Sequence, residues 1–215
     1  MTNKNKPKFA IGLTPEFERR LGAELVKRCE NLDIKLISEA SYRQSVQAAS
    51  DQFAKYAELP DVPAFLQAKP SIPATIASPL FMLDIKDSKV TLGSCLEASI
   101  ELLPTPAAID CIESLVNSIV GCSVIPFDFG TFSNLCEQFQ YLEFDTYCGK
   151  IEETSLYQLV QKKHTNETLV LGFNGNNALS EVVKFEQNPI SQDTNILIYA
   201  INVTSVTSVY IFRFY

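Results

Sequence analysis

The residues predict an α+β protein, with an N-terminal β-α-β-α segment and helices packed on a mainly antiparallel C-terminal sheet. Three observations lead there. Apolar side chains recur at helical spacing through the first sixty residues and again after Thr105. From Thr168 onward the apolar runs are short, β-branched and aromatic, as strands favour. Between two such runs, Asn174-Gly175-Asn176-Asn177 supplies the residue types that hairpin turns demand.

Taken in order, Lys8 to Leu13 reads as a short strand, and Thr14-Pro15-Glu16 opens a helix. Thr is a good cap, Pro suits the first helical position, and acid complements the helix dipole. Phe17, Leu21, Leu25 and Cys29 then fall at four-residue spacing on one stripe. Ile34 to Ile37 forms a second strand. A second helix follows, with Tyr42, Val46, Ala49, Phe53 and Tyr56 inward, ending at Leu59-Pro60. Prolines at 60, 63, 70, 73 and 79 make residues 60–79 an extended connector, with a short helix near 62–68. The whole chain is read as one domain over 1–215, and this connector is its only candidate subdomain boundary.

Leu80 to Lys86 alternates as a strand, turns at Asp87-Ser88 and returns from Val90. Residues 95–103 carry two signals. Leu92, Leu96, Ile100 and Leu102 fit a strand face, while Ser94-x-x-Glu97 fits a helix capping box, and the strand is preferred. Thr105-Pro106 starts a helix with Ile109, Ile112, Val116 and Ile119 inward and Gly121 at its end. A helix over 132–139, a strand over 141–145 and a helix over 154–163 come next. Strands at 168–173 and 182–187 then flank the Asn-Gly turn as a hairpin, before two final strands at 195–203 and 207–215.

That closing block, NILIYAINVTSVTSVYIFRFY, is the most apolar part of the chain and holds one charge, Arg213. Burying each large side chain is worth roughly 1.5–3 kcal/mol, so the block supplies on the order of 20–30 kcal/mol of gross driving force. A spanning helix is a poor reading, because Asn202, Thr204, Ser205, Thr207 and Ser208 occupy its middle. In the first strand both faces are apolar, so it should lie in a sheet interior. The second, Val209, Tyr210, Ile211, Phe212, Arg213, Phe214 and Tyr215, is expected to be an edge strand open to another chain.

At 215 residues the chain can bury a substantial core, and 46% hydrophobic with 20% charged residues is ordinary for a globular protein. A net charge of −7 argues against broad nucleic-acid or anionic-membrane binding. The start, Met1 to Lys8, is polar and no apolar signal segment follows. Cys29, Cys95, Cys111, Cys122, Cys136 and Cys148 form no Cys-x-x-Cys pair, so they are expected as free thiols in the cytoplasm.

Chemistry-bearing patterns are sparse. The one histidine, His164, follows Lys162-Lys163 where a helix should end, and is read as an exposed helix-end residue. Neither a phosphate loop nor a dinucleotide fingerprint is present, and no cofactor or metal site is expected. Asp84-Ile85-Lys86 lies on a strand, which puts Asp84 and Lys86 on one face, with Asp61 upstream after Pro60. Two carboxylates and a lysine are the set that holds Mg²⁺ and orients a water for phosphodiester cleavage. The arrangement resembles the Pro-Asp…Asp-x-Lys pattern of restriction-endonuclease-like nucleases, over those few residues alone. That resemblance implies an Mg-dependent nuclease using Asp61, Asp84 and Lys86.

The sequence therefore favours a non-enzymatic cytoplasmic binding or assembly protein. It would be a subunit of a larger complex of the phage or secretion-machine kind, meeting a protein partner or a second copy through its last strand. The nuclease is the alternative. A small-molecule sensor domain is a third reading, since apolar pockets have no linear signature.

Overall fold

The structure is a computed structural model that describes residues 9–30, 32, 34–57, 78–94, 98–121, 123–148, 153–161, 164–187, 195–202 and 207–215. Its class is α+β, as the residues predict. The chain divides into two compact units, Met1–Lys86 with Leu92–Glu97, and Asp87–Thr91 with Ala98–Tyr215. Most of the proline-rich connector 60–79, with Asp61 in it, lies outside the described residues.

In the first unit, β1 (Phe9–Leu13) pairs in parallel with β2 (Ile34–Ser38) on one side and β3 (Ser78–Lys86) on the other. Thr14 caps the following helix, its hydroxyl accepting from the Phe17 N–H at 3.4 Å. That helix runs as α1 (Pro15–Phe17), a π turn (Glu18–Gly22) and α2 (Ala23–Cys29). Phe17, Leu25 and Cys29 are buried, as their spacing requires. The helix α3 (Glu39–Ala57) presses Tyr42 against β1, where a Cβ on Gly12 would sit 2.6 Å from the Tyr42 ring. Only glycine admits that approach. Leu13 lines a groove together with Ala23 and Val26 of α2, and neighbouring strand residues point to opposite faces. The α2 and α3 helices therefore cover opposite faces of the three parallel strands. Asp87 and Ser88, at φ of 50° and 65°, turn the chain from β3 into β4 (Lys89–Ser94).

The second unit contains β5 (Ser99–Leu103), α4 (Ala108–Val120), β6 (Ser123–Ile125), α5 (Phe129–Gln138), β7 (Tyr141–Cys148), α6 (Glu153–Val160), β8 (Thr168–Asn174), α7 (Ala178–Glu186), β9 (Ile196–Ile201) and β10 (Ser208–Phe214). Its strands lie in the order β5-β7-β10-β8-β9-β6. β10 is antiparallel to both neighbours and β6 to β9, whereas β5 with β7 and β8 with β9 are parallel pairs. Val209 and Ile211 join Leu169, Leu171 and Phe173 in a core completed by Leu156 and Val160 of α6 and Val182 and Phe185 of α7. On the other face, Phe214 meets Phe132 of α5, and Tyr199 stacks on Phe127. The Tyr199 hydroxyl lies 2.5 Å from that of Ser118 on α4, and Tyr199 fits over β8 because Gly172 has no Cβ.

Three expectations need correction. The Asn-Gly turn does not make a hairpin: it leads from β8 into α7, with Gly175 at φ 120°. Ala178, Val182 and Phe185 form a buried stripe at spacings of four and three, which the adjacent β-branched pair Val182-Val183 masks in the sequence. The connection β8-α7-β9 accordingly joins parallel strands. The last strand is not an edge. β10 pairs along its length with β7 on one side and β8 on the other, and six of its seven residues are buried. The two closing strands are also not neighbours, because β8 lies between them. For the ambiguous segment the strand holds over Ser99–Leu103, while residues 95–97 lie outside the described residues.

Candidate functional site

Arg213 is the centre of the most unusual arrangement in the second unit. Alternation along β10 puts it on the same face as Val209 and Ile211, where an unpaired guanidinium would be costly to bury. It is met instead by Glu167, which lies just before β8. The guanidinium and carboxylate are 2.7 Å apart, and the two side chains are only 2% and 0% exposed. Arg213 also donates to the backbone carbonyls of Leu159 and Gln161, just past or within the last turn of α6, the latter at 3.4 Å. Glu167 accepts from the His164 backbone N–H at 3.2 Å. One buried pair thus ties Leu159, Gln161 and His164 to the end of the sheet.

That tie sets the position of His164, which the sequence reading treats as an exposed helix-end residue. It is neither. α6 ends at Val160, and the imidazole lies flat on the Tyr215 ring, with centroids 3.6 Å apart and planes within 11°. Its Nε2 is 3.7 Å from the Glu143 carboxylate, and both side chains are about one-third exposed or less. Tyr215 in turn stacks on Tyr141 at 5.5 Å. Backbone bonds hold these two in register: the Tyr215 N–H donates to the Tyr141 carbonyl at 3.1 Å, and the Tyr141 N–H to the Tyr215 carbonyl at 3.0 Å. Partial burial, followed by Glu143, pushes the Tyr215 phenol up from its ordinary value. Beside the rings, Lys89 and Glu101 pair at 3.0 Å. The result is a row of three half-buried rings, Tyr141, Tyr215 and His164, rimmed by acid and backed by a buried ion pair.

Of the seven residues proposed for interaction, Val209, Ile211, Phe212, Arg213 and Phe214 are buried within the unit, whereas Tyr210 and Tyr215 remain half-buried. Tyr210 accepts from the Asn174 amide at 3.1 Å on the opposite face. The row of rings brings together three separate stretches of sequence, around Tyr141, His164 and Tyr215. Its only local signal is the apolar alternation of β10, which runs through Arg213 and so demands a buried acidic partner.

The nuclease candidates belong to the first unit. Asp84 is half-buried, and its carboxylate accepts from the Thr14 hydroxyl at 2.7 Å. Lys86 is exposed, and Asp61 lies outside the described residues. The strand does place Asp84 and Lys86 on one face, and Thr14 is a partner that sequence spacing does not suggest. Among the described residues no group of three His, Cys, Asp or Glu side chains is arranged to hold a metal ion. No described helix is long and apolar enough to cross a membrane. Cys29, Cys111, Cys136 and Cys148 are free thiols, and burial pushes those of Cys111 and Cys136 well above the ordinary range. No known family model matches the chain, and no curated protein matches it either.

Proposed function

We propose that this chain is a non-enzymatic binding or assembly protein of the cytoplasm that joins a larger complex through the row formed by Tyr141, Tyr215 and His164. The observation that carries this reading is the parallel stacking of His164 on Tyr215, fixed from beneath by the Arg213–Glu167 pair. Aromatic side chains dominate binding energy at protein interfaces, and most of that energy resides in a few anchors. Rings already held in one geometry lose little conformational freedom when a partner covers them. Glu143 beside the rings adds a preference for a partner surface that offers basic or donor groups.

The experiment compares the wild-type chain with Tyr141→Ser and His164→Ser variants. Native mass is measured alone and after incubation with extract of the source cells. The reading expects a larger species for the wild type, and at least a roughly 30-fold weaker one for each variant, the loss typical of an anchor worth about 2 kcal/mol. Variants that keep native circular dichroism and hold the same partner as tightly would overturn it. So would a wild-type chain that stays monomeric in extract.

A further inference from the structure

A groove of about 420 Å³ runs along the first unit where α2 passes the carboxyl ends of β1 and β2. Leu13 and Leu36 line its floor, and Gly22, Ala23 and Val26 line the wall. Val26 is 55% exposed there, a large apolar side chain left on the surface. The volume lies within the range of small-ligand sites, roughly 300–1,000 Å³. The groove opens at the carboxyl ends of β1 and β2. Its wall is also the place where the helix leaves α geometry, in the π turn Glu18–Gly22. Such turns concentrate at functional sites.

The groove contains one charge. Glu18 lines it, and among the described residues no cation pairs with that carboxylate. The neighbouring charges are already matched: Glu16 takes both Arg19 and Arg20 at 2.7 Å, and Glu39 takes Arg43 at 2.9 Å. The nearby helix starts offer little to an anion. Thr14 caps the N–H of Phe17, and Ser38 caps that of Ser41 at 3.4 Å. An apolar floor beneath a single unmatched carboxylate is complementary to a cation with an apolar body.

We propose that this groove binds a small organic cation, with a ring or short alkyl body on Leu13, Leu36 and Val26 and a protonated amine on Glu18. The site is separate from the row of rings, and its occupant differs in class from the protein partner. Benzylammonium, benzyl alcohol and benzoate are the probes, titrated into the full chain and followed by ligand-observed NMR. Benzylammonium is expected to bind in about the millimolar range, the alcohol about 2- to 5-fold more weakly, as fits an exposed carboxylate, and benzoate least of all. Glu18→Gln should bring benzylammonium down to the level of the alcohol. Ala23→Phe, which fills the groove from an exposed position, should abolish binding of all three. Failure of the wild type to bind benzylammonium at about 10 mM would overturn the proposal. Equal binding of benzoate, or binding unchanged by Glu18→Gln, would do the same.

Discussion

Replacing Arg213 with methionine isolates what the buried ion pair contributes. Methionine keeps the length of the side chain and its packing against β7 and β8 but removes the charge and its donors. Glu167, at 0% exposure, would then lose the guanidinium 2.7 Å away while still accepting from the His164 backbone N–H. Removing one member of a buried pair costs about 3–5 kcal/mol, because the survivor stays desolvated. Glu167→Leu should cost a similar amount for the converse reason. The double variant loses the bonds to Leu159, Gln161 and His164 but leaves no buried charge, so it should cost only about 1–3 kcal/mol. Strong non-additivity is the signature. The assay is urea unfolding followed by circular dichroism and tyrosine fluorescence, which suits a chain with no tryptophan and eight tyrosines. At about 2–3 kcal/mol per molar urea, each single variant should lower the midpoint by about 1–2 M. Two results would overturn this. One is single variants costing under about 1 kcal/mol, as an exposed pair would; the other is a double variant equal to the sum of its parts.

Other outcomes follow from the same packing. Gly172→Ala drives a Cβ into the hydroxyl and the Cζ of Tyr199. It should destabilise the second unit by about 1–3 kcal/mol in the same assay, and adding Tyr199→Phe should not rescue it, because the ring carbon still clashes. Asp128→Ala removes the carboxylate that caps α5 by accepting from the Thr131 N–H at 2.9 Å; a loss of about 1 kcal/mol is expected, and an unchanged midpoint would contradict it. Burial raises the Cys136 thiol from 9.0 to about 12, and it also raises Cys111 and Tyr199. The Cys136 thiol stays protonated when folded and ionises when unfolded, so its contribution is full below pH 9.0 and is lost as pH rises through about 12. Midpoints measured across that window should fall steadily. With a disulfide reagent at pH 8, exposed Cys148 should react before Cys29, Cys111 and Cys136, which are buried.

Helices with clean start signals and regular stripes were legible from residues alone. Thr14-Pro15 caps a helix whose Phe17, Leu25 and Cys29 are buried, and Gly121 ends α4. These signals are local, because a cap or an i, i+4 stripe is set by neighbours in sequence. Failures came where a local signal has two outcomes. Asn-Gly permits positive φ in a hairpin and equally in a strand-to-helix turn, and the stripe of α7 needed weighing against its valines. Strand order is not local at all. Nothing in Val209 to Phe214 says that β7 and β8 will flank it, although a strand apolar on both faces is what an interior position requires. Three-residue β6 is too short for any periodicity to mark. Arg213 was visible as the one charge of the closing block, but its partner Glu167 lies 46 residues away. The stacking of His164 depends on that tie, so the residues around it in sequence carry no sign of it.

On the proposed function the last strand stays locked inside its sheet, and its end, with Tyr141 and His164, meets the partner. Amide hydrogen exchange on the free chain and on the complex recovered from extract tests this directly. Residues 209–214 should exchange slowest in both, with new protection in the complex over 141–143 and 164–167. Fast exchange at 209–214 in the free chain, with the new protection falling there on binding, would contradict it.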